Sequence, residues 1–133
     1  MANRNSRPKP PTYASTGTSD NFGRLYVSMV QSGAFQALSM KARYFYMLCT
    51  IQAASTQGKR ALYQYADAEG ETFGEACFVF PREHQKKFGY MGKDANRYFD
   101  ELEQAGFIET VRQNNHRRKM NVYRFSDKWK NSS

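Results

Sequence analysis

Lys93, Asn96 and Arg97 lie within five positions of one another and form a set able to read the edges of a DNA duplex. A guanidinium can bond O6 and N7 of guanine in parallel, and a carboxamide can do the same at adenine. Each good pair is worth about 1–3 kcal/mol of discrimination. With Ala95, Phe99 and Leu102 on the inward face of a helix, Lys93, Asn96, Arg97 and Asp100 fall on its outward face, which is also how an ordinary solvated helix looks. Asp100, Glu101 and Glu103 would be repelled by phosphates, so contact is expected at the helix start, with its N-terminus pointing into the groove.

A second cationic set follows at Arg112, Asn114, Asn115, His116, Arg117, Arg118 and Lys119, with no acidic residue between Glu109 and Asp127. A charge run is often only a solvated face. At the tip of a hairpin beside a recognition helix it suits phosphate or minor-groove contact. Arg82, Lys86 and Lys87 suit phosphate contacts that fix register without reading sequence. Tyr90 suits either a phosphate contact through its hydroxyl or a place in the core. Arg4, Arg7 and Lys9 supply one more cationic element.

Other chemistry is sparse. Cys49, Cys77, His84 and His116 have no metal-ligand spacing, and no glycine-rich phosphate loop or nucleophile signature occurs, so neither a cofactor, a metal nor a catalytic residue is expected. Asp67, Glu69, Glu71 and Glu75 could serve only a carboxylate site, and they fall in a stretch that reads as a solvated loop.

These residues need elements to hold them. Residues 1–20 are rich in Pro, Ser, Thr and Gly and read as a flexible basic arm, leaving 21–133 as the folded domain. Leu25 to Val30 reads as a short strand, followed by a turn-like Ala34 to Leu38. Ser39 is a good N-cap for an amphipathic helix from Met40 to Ser55, with Ala42, Tyr44 or Phe45, Leu48, Ile51 and Ala54 on its stripe. That helix is also the natural surface for a homodimer, unless the following segment covers its second face. Thr56 to Ala76 reads as a loop, with room for a short helix near Arg60 to Ala68.

Cys77 to Phe80 predicts a strand, and Pro81 opens a short helix, Arg82 to Phe88. Gly89-Tyr90-Met91-Gly92 predicts a tight turn, and Lys93 to Ala105 a second helix stopped by Gly106. Phe107 to Arg112 and Lys119 to Phe125, around an Asn-rich tip, predict a β-hairpin. Helix, glycine-containing turn, helix and hairpin is winged helix-turn-helix connectivity, so the expected fold is α+β, mainly helical with a C-terminal hairpin wing.

The bulk properties agree. The 133 residues carry a net charge of +8, 40% hydrophobic and 15% aromatic residues, which fits one folded core and a polyanionic partner. Residues 1–80 hold eight basic and five acidic side chains, and residues 81–133 hold twelve and seven, so the excess is denser toward the C-terminus. No apolar run reaches the roughly 18–20 residues of a membrane span and no secretory leader is visible, predicting a cytoplasmic protein away from membranes. Cys49 and Cys77 sit in apolar stretches, as buried thiols do in a reducing compartment.

Residues 80–129 resemble the winged helix-turn-helix domains encoded on plasmids, phages and integrative elements of Gram-positive bacteria. The likeness rests on Leu102-Glu103-Gln104-Ala105-Gly106-Phe107-Ile108 and on Asn121-Val122-Tyr123-Arg124-Phe125-Ser126-Asp127-Lys128-Trp129. Ala37-Leu38-Ser39-Met40-Lys41-Ala42-Arg43-Tyr44-Phe45-Tyr46 is similar to the first helix of the same domains. The resemblance implies sequence-specific binding of double-stranded DNA in the transfer or replication of a mobile element, with a relaxase or replication proteins as partners. Because only one winged domain is visible, an accessory or regulatory binder is favoured over an initiator.

Three other readings stay open at this point. A transcriptional regulator would use the same residues. A winged-helix module that docks on a replication or transfer assembly would explain the aromatic excess. A single-stranded DNA or RNA binder would explain tyrosines interleaved with basic residues.

Overall fold

The computed structural model describes residues 25–113 and 120–132. The expected basic arm, with Arg4, Arg7 and Lys9, and the hairpin tip from Asn114 to Lys119 lie outside them. The chain is α+β: α1 (Val27–Val30), α2 (Gly33–Gln36), α3 (Met40–Ala54), α4 (Thr56–Glu69), β1 (Cys77–Val79), α5 (Arg82–Lys87), α6 (Asn96–Gln104), β2 (Ile108–Arg112) and β3 (Val122–Phe125), closed by a 3-10 turn, Lys128–Ser132. None of the helices among the described residues is long and apolar enough to cross a membrane.

The helix at Met40 forms as its pattern predicts. Ser39 Oγ accepts the Ala42 N–H at 3.1 Å, and Phe45, Leu48 and Cys49 are buried along its length. It is the central helix. Its far end packs against α4, which covers part of its second face, while Met40 and Tyr44 at its start stay exposed. The segment 56–76 is therefore not mainly a loop. Ser55 ends α3 and caps α4 at once, donating its N–H to Ile51 O and accepting the Gly58 N–H at 2.9 Å. Gly58 is what lets the two helices meet without a linker, because a Cβ there would lie 1.8 Å from Gln52 O. Gly58, Leu62, Tyr65 and Ala66 make a buried stripe at helical spacing, masked in the sequence by the polar residues between them. Asp67 and Glu69 consequently sit on a helix.

Leu25 to Val30 is not a strand. Val27 and Met29, two residues apart, would share one face of a strand, yet Met29 is 2% exposed and Val27 is 70% exposed. The Val30 N–H reaches Tyr26 O at 3.1 Å and Ser32 Oγ donates to Met29 O at 2.6 Å, closing a single helical turn. The turn-like stretch after it is a further helical turn, capped by Ser32.

The sheet is antiparallel in the order β1-β3-β2, with Phe78 opposite Tyr123 and Ile108 opposite Phe125. Its residues alternate between two cores, as strand geometry requires. Phe78, Ile108 and Tyr123 face the main core with Phe45, Phe80, Phe99, Leu102 and Phe107. Cys77, Val79 and Val122 face the other way, onto Leu62 and Tyr65 of α4. Phe45 is the hub of the main core, with Phe99 edge-on at 4.8 Å and Phe80 stacked at 5.6 Å. Most of the described aromatic residues pack here, while Tyr26, Tyr44 and Tyr63 are exposed. Cys49 and Cys77 are both buried, unbonded thiols, and burial pushes the Cys49 thiol well above its ordinary value.

Candidate nucleic-acid interface

The candidate surface begins at α5. Gln85 is its buried anchor, donating its amide to Phe80 O at 2.7 Å, which leaves Arg82, Lys86 and Lys87 exposed on the outer side. Glu83 in the first turn and Lys86 and Lys87 in the last also complement the helix dipole, a structural use that needs no ligand. His84 is held from behind. Buried Gln52 of α3 spends its amide on Val79 O (3.1 Å) and on His84 Nδ1 (2.7 Å), making Nδ1 the acceptor. Burial, then the nearby Lys87 charge, lowers the His84 pKa from its usual 6.5, against a smaller opposing pull from Glu83.

Gly89 leaves α5 at φ +95°, with its N–H on Lys86 O and the Tyr90 N–H on Gln85 O, a Schellman closure that only a left-handed residue allows. Tyr90 is half-buried and packs edge-on against Phe45 at 5.2 Å, so its ring belongs to the core. Burial raises its pKa, with smaller contributions from Tyr44, Tyr98 and Cys49.

The second helix starts at Asn96, three residues later than the sequence suggests. Gly92 at φ +56° turns the chain, and Asp94 N–H to Met91 O and Asn96 N–H to Lys93 O, both 3.0 Å, form tight turns that delay the α pitch. Lys93 thus stands on the turn preceding the helix. The expected faces hold: Ala95, Phe99 and Leu102 are buried, and Lys93, Asn96, Arg97 and Asp100 are exposed. Arg97 lies over the Tyr98 ring, 5.8 Å from its centroid. Ala95 at the N-cap gives no side-chain hydrogen bond to the first turn.

The acids further along α6 have duties that local sequence does not reveal. Glu101 Oε2 accepts the Ser39 N–H at 2.7 Å and Oε1 the Ser39 hydroxyl at 2.9 Å, completing the cap of α3 from 62 residues away. Glu103 accepts the N–H and the hydroxyl of Thr110 at 3.1 and 3.0 Å, tying α6 to β2. Of the three, only Asp100 has no such structural duty.

At the loop end of β2, Arg112, expected among the free cations of a wing, pairs instead with Glu71, just beyond α4. On the same strand, Glu109 pairs with Arg124 of β3 and with Lys128. Asn114, Asn115, His116, Arg117, Arg118 and Lys119 fall outside the described residues. The structure thus brings together Lys86, Lys87, Tyr90, Lys93, Asn96 and Arg97 on consecutive elements, and separates Arg112 from them as a structural partner.

Sequence reasoning missed a groove that borders this surface. Tyr44 and Phe45 are equivalent on the apolar stripe, but Phe45 is fully buried and Tyr44 is 49% exposed. With Met40 and Lys41 it faces Tyr90, Asp94, Arg97 and Tyr98 across a groove of about 580 Å³. The Met40–Tyr44 spacing is the available signal, since residues four apart share a helix face. Among the described residues, no three His, Cys, Asp or Glu side chains gather as a metal would need. Comparison of the chain with protein-family models, curated proteins and solved structures finds no match.

Proposed function

We propose that the chain is a sequence-specific double-stranded DNA-binding protein of winged helix-turn-helix type. In this reading α6 enters the major groove start-first, α5 holds phosphates, and the β2–β3 hairpin is the wing. One observation carries it. Arg82, Lys86, Lys87, Lys93 and Arg97 lie on consecutive elements and, like Lys41, Lys59 and Arg60 on α3 and α4, form no ion pair with any described carboxylate, whereas Arg112, Arg124, Lys128 and Lys130 each have an acidic partner. Unneutralised cations on consecutive elements cost the fold self-repulsion, and that cost is recovered when phosphates take the place of counterions. Helix, strand, helix, turn, helix and hairpin, with β1 on the free side of β3, is connectivity compatible with the assignment.

The role that fits is an accessory factor in the transfer or replication of a mobile element, acting beside a relaxase or replication proteins, or a regulator of transcription from the same sites. Gel shifts across fragments tiled over the DNA that encodes the chain test the binding itself. A preferred fragment bound at submicromolar concentration, with affinity falling steeply as salt rises, is the expected result. No preferred fragment, together with unchanged binding by Arg97→Ala, would sink the assignment.

A further inference from the structure

The groove between the start of α3 and the turn before α6 shares Arg97 with the duplex contacts above, and its α3 wall takes no part in them. We propose that it holds one unpaired nucleotide of the bound DNA, the base lying on tyrosine and its phosphate on the flanking cations; the proposal rests on the duplex-binding reading. Its floor is aromatic: Tyr90 and Tyr98 meet edge-on at 6.1 Å, and half-exposed Tyr44 forms the opposite wall. Every base has a flat π-face, so an open tyrosine wall stacks any of them.

The charges fit this ligand better than a bare anion or an apolar peptide. Lys41 and Arg97 flank the groove and Asp94 lies within its lining, giving two cations and one carboxylate. A nucleotide presents the complement: one phosphate charge for the cations, and amino or imino N–H groups on its base for the carboxylate. A free phosphate would answer the cations but offer Asp94 no donor, and an apolar peptide would leave all three charges unanswered. Arg97 belongs to the groove and to the exposed start of α6 alike, so a base leaving the helix there travels a short way. Extrusion is cheapest for a base that is already unpaired.

The test uses the full chain and two DNAs of one sequence, a blunt duplex and the same duplex carrying a single extra, unpaired 2-aminopurine. The bulged duplex should bind roughly tenfold tighter, within the range of one base–aromatic stack, and its fluorescence should be quenched at saturation. Tyr44→Ala should abolish the preference and the quenching and leave blunt-duplex affinity unchanged, while Tyr44→Phe keeps both. Asp94→Ala, at an exposed turn position, should also shrink the preference. Equal binding of the two duplexes by the unaltered chain, or a preference that survives Tyr44→Ala, overturns the proposal and leaves the groove to a protein partner. Failure to bind either duplex is a separate result, which overturns the duplex reading and this proposal with it.

Discussion

The two ends of α6 differ in what their charges do. At the C-terminal end Glu101 and Glu103 are each held by two hydrogen bonds, one pair capping α3 and the other fixing β2, and Gly106 closes the helix at φ +87°. At the N-terminal end Lys93, Asn96 and Arg97 stand exposed, and the N-cap Ala95 offers no side chain to the first turn. Charged residues at similar density thus stand in different surroundings: the acids hold neighbouring elements in place, and the cations and Asn96 are exposed, with no ion pair or side-chain hydrogen bond to another described residue. A charge with an internal partner informs on the fold, and one without informs on function.

Replacement of Leu102, which is fully buried beneath both ends, should remove the contrast altogether. Leu102→Ala is expected to lower unfolding free energy by about 2–5 kcal/mol in urea titrations, and to weaken DNA binding only in proportion to the unfolded fraction. The double change Lys93→Ala, Arg97→Ala separates the ends. DNA affinity should drop by about 1–3 kcal/mol for each side chain that reads a base, while the urea midpoint stays put. Glu101→Ala should do the reverse, costing about 1–2 kcal/mol of stability as α3 loses its cap, with salt-dependent DNA binding intact. If Glu101→Ala weakens DNA binding in the folded protein, or the double variant unfolds more easily, the division between the ends is wrong.

The smallest effect concerns the support behind α5. Because His84 has a folded-state pKa below 6.5, the unfolded chain takes up its proton first on acidification. Its contribution to stability is therefore complete above pH 6.5 and is lost as pH falls toward and through the lowered value. Protonating Nδ1 would also set an N–H against the Gln52 amide. Urea midpoints measured between pH 8 and pH 5 should fall, and the slope attributable to this histidine should vanish in His84→Gln; an unchanged slope there would assign it to other groups.

Much of the fold was legible because it is local. Ser39 before a stripe of apolar residues is enough for α3, and Gly89 and Gly106 mark closures whose geometry only a left-handed residue allows. What was illegible depends on distance or on ambiguous alternation. No local signal links Glu101 to Ser39 or Arg112 to Glu71, so these side chains looked like free charges. Leu25 to Val30 has strand-like composition, yet Met29 turns inward on a helical turn because the core is there to receive it. In α4, the tyrosines, Gly58 and many polar side chains lower the local helical preference, and packing on Val79 and Val122 supplies what propensity does not. At the candidate interface, the exposed cations of α5 and α6 could be read from spacing, but the choice between Tyr44 and Phe45 needed the neighbouring helix.

The alternation of strand residues between two cores has a mechanical consequence. β3 contributes Tyr123 to one core and Val122 to the other, and the Arg112–Glu71 pair fastens β2 to the end of α4. The hairpin is therefore clamped like a blade between two blocks and cannot tilt without disturbing both. Load applied along it should register as changed amide exchange in α4, on the side of the sheet away from α6.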